Sequence, residues 1–225
     1  MGEDQLIVPG NAPRRKCRCA PLNFDVSPQG EYMEIQVNGS FVHWNYYIAL
    51  EQDLSKVSRF IEFSEANFNT YSIELAHLLL AASSEVDVVL KSLCNFKNSG
   101  KNHRNINDYR ETITAESPSL IDERCFINRY GLELQPWISW GGGENPFWWH
   151  SYNNVKHQRD THFNEANLKN TLNAVAALSL VALYYYREVF SEVNAHTFKD
   201  AARRLQPASS LIEFDRGYTH DQVII

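Results

Sequence analysis

Apolar residues recur three and four apart along most of this chain, the period of helices packed on one another. Leu50, Leu54, Val57 and Ile61 predict a short helix. Ser64 is placed to cap a longer one reaching to about Asn95, with Phe68, Tyr71, Leu75, Leu78 and Ala82 as its stripe and Leu79, Val86, Val89 and Leu93 beside it. Ser99-Gly100 is a stop signal, and residues 106–115 predict one more helix. A last long apolar seam, Leu168, Leu172, Val175, Ser179 and Ala182, predicts a helix over about 164–193. Thr197 opens a short helix, with Asp200 in the capping-box position.

Two stretches break the helical period. In residues 31–48, Met33, Ile35 and Val37 alternate with polar residues, Asn38-Gly39 suits a tight turn, and Val42, Trp44 and Tyr46 alternate again, which predicts a β-hairpin. Residues 124–145, with Pro136, two tryptophans and Gly141 to Gly143, read as a loop with aromatic anchors. Asn145-Pro146 then signals a helix start, with Asn as cap and Pro in the first turn. The expected fold class is mainly α, a helical bundle with a small N-terminal β-hairpin. The expected organisation is an irregular basic arm over 1–28, one domain over 29–205 and a loosely held tail over 206–225.

Composition narrows the function classes. At 225 residues, 44% hydrophobic and 12% aromatic, the chain can bury a core unaided. A net charge of −6 gives no general attraction to nucleic acid, so any RNA contact needs a local basic patch. One lies in the arm, at Arg14, Arg15, Lys16 and Arg18, a segment that equally suits a solvated tail. The four cysteines form no disulfide framework. The N-terminus lacks a signal-peptide layout, and the longest apolar run, 174–186, is too short for a bilayer, so the expectation is a cytoplasmic protein without membrane contact.

Candidate chemistry concentrates in residues 148–167, WWHSYNNVKHQRDTHFNEAN. On one continuous helix His150, Asn153, Asn154, His157 and Asn164 share a polar face, and Arg159 points away. With a break near Asp160, which the caps Asp160, Thr161 and Asn164 favour, His157, Arg159 and His162 can converge. Imidazole moves protons near neutrality and guanidinium grips phosphate. His157, His162, Arg159, Lys156 and Asn154 are therefore the candidate catalytic set, with His150, Asn153 and Trp149 as substrate contacts. The same residues also compose an ordinary solvated helix end, and Trp148, Trp149 and Tyr152 also suit core anchors. No metal or cofactor is expected: there is no HExxH pair, the CRC at Cys17 lacks partners, and no glycine-rich phosphate loop or GxSxG elbow occurs.

Two segments carry a family resemblance. SSEVDVVLKSL near the end of the 64–97 helix, and YNNVKHQRDTHFNEANLKNTLNAVAAL after it, resemble helices of the HEPN superfamily over about 64–195. The resemblance implies a dimerising helical bundle. It also implies either a metal-independent RNase of toxin–antitoxin or antiviral defence systems, with RNA as substrate and a cognate antitoxin as partner, or a non-catalytic interaction module. The family's active motif is an Arg followed, after four to six residues, by a His. Here Lys156 stands at the Arg position before His162, and no Arg–His pair has that spacing. A small-molecule site using His150 and His157 beneath Trp148 is a further alternative.

Overall fold

The computed structural model describes residues 40–191 and 197–215. These are mainly helical, with seven α-helices and a small antiparallel sheet. The long helices α2 (Ile73–Lys97) and α6 (Leu168–Ser191) form the centre. Every residue of α6 from Asn170 to Tyr184 is buried. A helix buried on all sides needs close neighbours, and Ala174, Ala176, Ala177, Ser179 and Ala182 supply the small side chains. α2 presents Leu75, Leu79, Ala82, Val86 and Leu90 to the same core.

The start of α6 is fastened to the segment before α2. Leu168 and Lys169 donate their amides to the carbonyls of Thr70 and Phe68. The Thr171 hydroxyl reaches the Leu75 carbonyl at 3.1 Å. Asn167 accepts from the Asn170 amide and caps the helix.

Helix α1 (Val42–Val57) replaces the expected return strand of the hairpin. Alternation would put Val42, Trp44 and Tyr46 on one face, yet Val42 is 62% exposed and Trp44 only 2%. Trp44, Tyr47, Ile48, Glu51 and Leu54 recur at helical spacing, and that larger buried face decides the conformation. The first strand and turn of the expected hairpin, and the basic arm, lie outside the described residues. α2 starts later than expected. Ser72, not Ser64, caps it by accepting from the Leu75 amide, and residues 65–67 form a 3₁₀ turn.

Helix α3 (Ile106–Glu116) follows the predicted range, capped by Asn105. After the one-turn helix α4 (Ser119–Asp122), the expected loop contains β1 (Cys125–Ile127) and β2 (Leu132–Leu134), paired antiparallel with Cys125 opposite Leu134. Gly131, at φ 65°, makes the turn between them. The aromatic anchors are real: Trp137 packs tilted against Trp140 and meets Trp148 edge-on, and the Trp148 indole donates to the Pro136 carbonyl. Helix α5 (Phe147–His162) begins where Pro146 predicts. Asn145 does not cap it but bonds Asn107 and Arg110 of α3 instead. Helix α7 (Phe198–Arg204) has the expected cap, Thr197 accepting from the Asp200 amide.

The segment read as a tail is docked as far as residue 215. β3 (Glu213–Phe214) adds to the free edge of β1, giving the order β2-β1-β3. Its anchor is Glu51, 1% exposed inside α1. This carboxylate accepts the amides of Ser210, Leu211 and Ile212 at 2.9–3.1 Å, the hydroxyls of Ser209 and Ser210, and the Tyr47 phenol at 2.8 Å. Burial pushes the Glu51 pKa up, but the hydrogen bonds from Ser209, Ser210, Ile212 and Tyr47 outweigh it and hold the acid below its ordinary value. Burial and the Glu51 charge push the Tyr47 phenol up, so it stays a donor.

Removing this carboxylate strands several buried donors at once. Glu51→Ala should cost on the order of 3 kcal/mol in chemical denaturation. Because the folded pKa is depressed, the stabilisation is present above the ordinary glutamate value and is lost as pH falls through the folded value. Glu51→Gln should therefore flatten the acid limb of the stability profile. A wild-type-like profile in both variants would show that the anchor contributes nothing.

Candidate functional site

The polar run after Val155 has nothing to hold it straight, since residues 156–161 are all exposed. Gln158 leaves the helical region at φ −142°, ψ 53°, and the Thr161 hydroxyl takes up its carbonyl at 3.1 Å. The expected break near Asp160 thus falls two residues earlier. One further helical turn follows, then a 3₁₀ turn over Phe163–Glu165, then α6.

Past the break the candidate groups have different partners. Arg159 and Asp160 swing against the first turns of α2, where they line an open groove of about 800 Å³ with Ile73, Ala76, His77 and Phe163. His162 turns to Glu165, its Nδ1 lying 2.7 Å from the carboxylate. Asn154, from the last intact turns of α5, donates to both oxygens of that carboxylate at 3.2 and 3.0 Å. The Glu165 backbone is held in turn by the Asn170 side chain. Burial pushes the Glu165 pKa up, but the hydrogen bonds from Asn154, His162 and Ser151, with the His162 charge, bring it below its ordinary value. An ionised Glu165 needs a proton on His162 Nδ1, which leaves Nε2 as the lone-pair nitrogen of the neutral ring. That side chain is 34% exposed.

Of the three groups expected to converge, Arg159 lines the groove and His162 bonds Glu165. His157 is exposed and takes part in neither the groove nor the carboxylate cluster. Lys156 lies on Tyr152, 3.1 Å from its hydroxyl and 5.1 Å from the ring centroid. Asn153 back-bonds within its own helix to the Trp149 carbonyl. Trp149, 8% exposed, packs between Trp148 and Tyr152, so its faces are closed to a substrate. His150 is exposed on the outer side of α5, and Trp148 is fully buried, so the indole forms no wall of a pocket for His150 and His157. What the structure does bring together is Asn154 and His162, through Glu165.

Glu165 and His77 escape a reading of the sequence. Glu165 sits three residues after His162, an ordinary spacing that gains meaning only after the chain turns back toward Asn154. His77 belongs to another helix, and no local pattern ties it to Arg159. Among the described residues no group of three or more His, Cys, Asp or Glu is placed to hold a metal, and no helix is long and apolar enough to cross a membrane.

No protein-family model matches the chain, and no curated protein and no solved structure matches it either. The HEPN resemblance therefore rests on the quoted residues alone.

The carboxylate cluster can be probed directly. Asn154→Ala removes the leading hydrogen bonds that favour the ionised acid, so the Glu165 carboxyl should titrate at higher pH than in the wild type, followed by carbon-detected NMR. An unmoved midpoint would mean that Asn154 does not hold this carboxylate in solution.

Proposed function

We propose that this chain is a HEPN-like helical protein that cleaves RNA without a metal, in a defence or toxin–antitoxin setting. The observation that carries the reading is the chain of contacts Asn154–Glu165–His162, an imidazole oriented by a carboxylate that is itself held in place. Such an arrangement presets the tautomer and steadies the imidazolium that forms when the ring takes a proton.

The chemistry follows from these groups. His162 Nε2 takes the proton of a ribose 2′-hydroxyl. The freed oxygen attacks the adjacent phosphorus, and the bond to the 5′-oxygen breaks, leaving a 2′,3′-cyclic phosphate. The imidazolium returns its proton to the departing 5′-oxygen. Arg159, which lines the groove beside the break, is assigned the phosphate, its guanidinium meeting the negative charge as it grows. A second copy of the chain and a neutralising protein partner belong to this reading as expectations of the resemblance.

A non-catalytic interaction module is the second reading. It is favoured by apolar surface beside the groove, where Tyr71 is 51% exposed and Ile73 63%. Purified protein incubated with RNA in EDTA separates the two. The nuclease reading expects cyclic-phosphate ends, a loss of roughly 100-fold or more with His162→Ala and of about tenfold or more with Arg159→Ala, at unchanged melting temperature. Intact RNA with wild-type protein, or undiminished cleavage by His162→Ala, would falsify it and leave the interaction module.

A further inference from the structure

We propose that the groove beside the α5 break seats an unpaired guanosine nucleotide of the RNA, with Arg159 on its phosphate and Asp160 on the edge of its base. This inference rests on the ribonuclease reading and adds a base preference to it. The groove's volume of about 800 Å³ falls in the range of ligand sites and accommodates a nucleotide with its flanking phosphate. Ile73, Ala76 and Phe163 give it apolar walls. Ile73 keeps 63% of its surface in water. The Phe163 ring is steadied by Tyr71, edge-on at 5.4 Å between centroids. A flat, weakly hydrated base suits such walls, as unstacked bases do on aromatic side chains elsewhere.

The charges narrow the ligand further. Neither Arg159 nor Asp160 forms an ion pair among the described residues, and they do not pair with each other. Both line the groove, are exposed, and are open to a ligand's polar groups. A simple anion would gain from Arg159 and lose to Asp160. A ligand that satisfies both must carry an anionic group and, apart from it, hydrogen-bond donors. A nucleotide does so. A carboxylate is acceptor-only and has two oxygens to fill. Among the four RNA bases, guanine alone offers two adjacent donors on its pairing edge, the N1 hydrogen and the 2-amino group. Adenine and cytosine set one amino group beside a ring nitrogen whose lone pair repels the carboxylate. Uracil offers one N–H between two carbonyls. The edge that Asp160 would read is the edge used in base pairing, so the nucleotide must be unpaired. His77, exposed on the α2 wall, can donate to the ribose or the phosphate.

The test is a calorimetric titration of the full chain with the 3′-monophosphates of guanosine, adenosine, cytidine and uridine. None of these can be cleaved, so the readout is independent of catalysis. Guanosine 3′-monophosphate should bind about tenfold tighter than the others, or more. Asp160→Asn should bring guanosine down to the level of the other three. Arg159→Ala should weaken all four by about tenfold. Melting curves establish that both exposed-site variants are folded. Equal affinity for the four nucleotides, no binding at all, or a guanosine preference that survives Asp160→Asn overturns the proposal. Cleavage of RNA by a protein that fails this titration removes the groove assignment and leaves the ribonuclease reading standing. Ranked nucleotide binding by a protein that never cuts RNA does the reverse.

Discussion

Helix α6 leaves no side open to water over its middle, from Asn170 to Tyr184, and the rest of the molecule is arranged to make that possible. A helix can run through a core because its backbone polar groups are satisfied internally, but its ends must be satisfied from outside. At the start of α6 this falls to Asn167 and to the carbonyls of Phe68 and Thr70. The Thr171 hydroxyl adds a tie to the first turn of α2. These bonds fix where α6 begins relative to α2. They leave only the short stretch from Phe163 to Asn167 to connect α5, so α5 arrives at an imposed point and direction. The break at Gln158 lies in the part of α5 with least packing to lose. The candidate site is a by-product of that junction, formed where α2, α5 and α6 meet.

Two carboxylates in this protein are stabilised in the same way for different ends. Glu51 and Glu165 are both held ionised by hydrogen bonds that outweigh the cost of burial. Glu51 is sealed and its donors are mostly backbone amides, so its effect is to hold residues 209–212 against α1 and to keep β3 on the edge of β1. Glu165 retains 26% of its side-chain exposure, and one of its partners is a titratable imidazole with a second nitrogen to spare. The latter lies partly at the surface, the former wholly in the core.

The parts of the fold legible in the sequence are those set by local spacing. The body of α2, the range of α3, the seam of α6, the start of α5 at Pro146 and the Thr197 cap all follow from periodicity and end chemistry. The misread parts have physical reasons. Over residues 42–46 alternation and helical spacing share Trp44, and the choice depends on Tyr47, Ile48, Glu51 and Leu54 having a core to face. The three strands are two or three residues long, too short for a pattern, and β3 is recruited from the far end of the chain. Phe68 and Tyr71 continue the apolar stripe of α2 in sequence, yet that segment is a 3₁₀ turn and a bridge to Asn167, bonded to the start of α6.

By itself the sequence determined that the chain is mainly helical and that its polar residues gather near 150–164, and it left open whether the helix there is interrupted. These follow from covalent geometry, because residues three or four apart share a face whatever surrounds them. Only the tertiary structure decided which groups come together: Glu165 with Asn154 and His162, Arg159 and Asp160 along one groove with His77, Glu51 with the chain at 209–212. Those encounters depend on how helices are seated against one another, and the departure of Gln158 from helical geometry redirects every side chain beyond it.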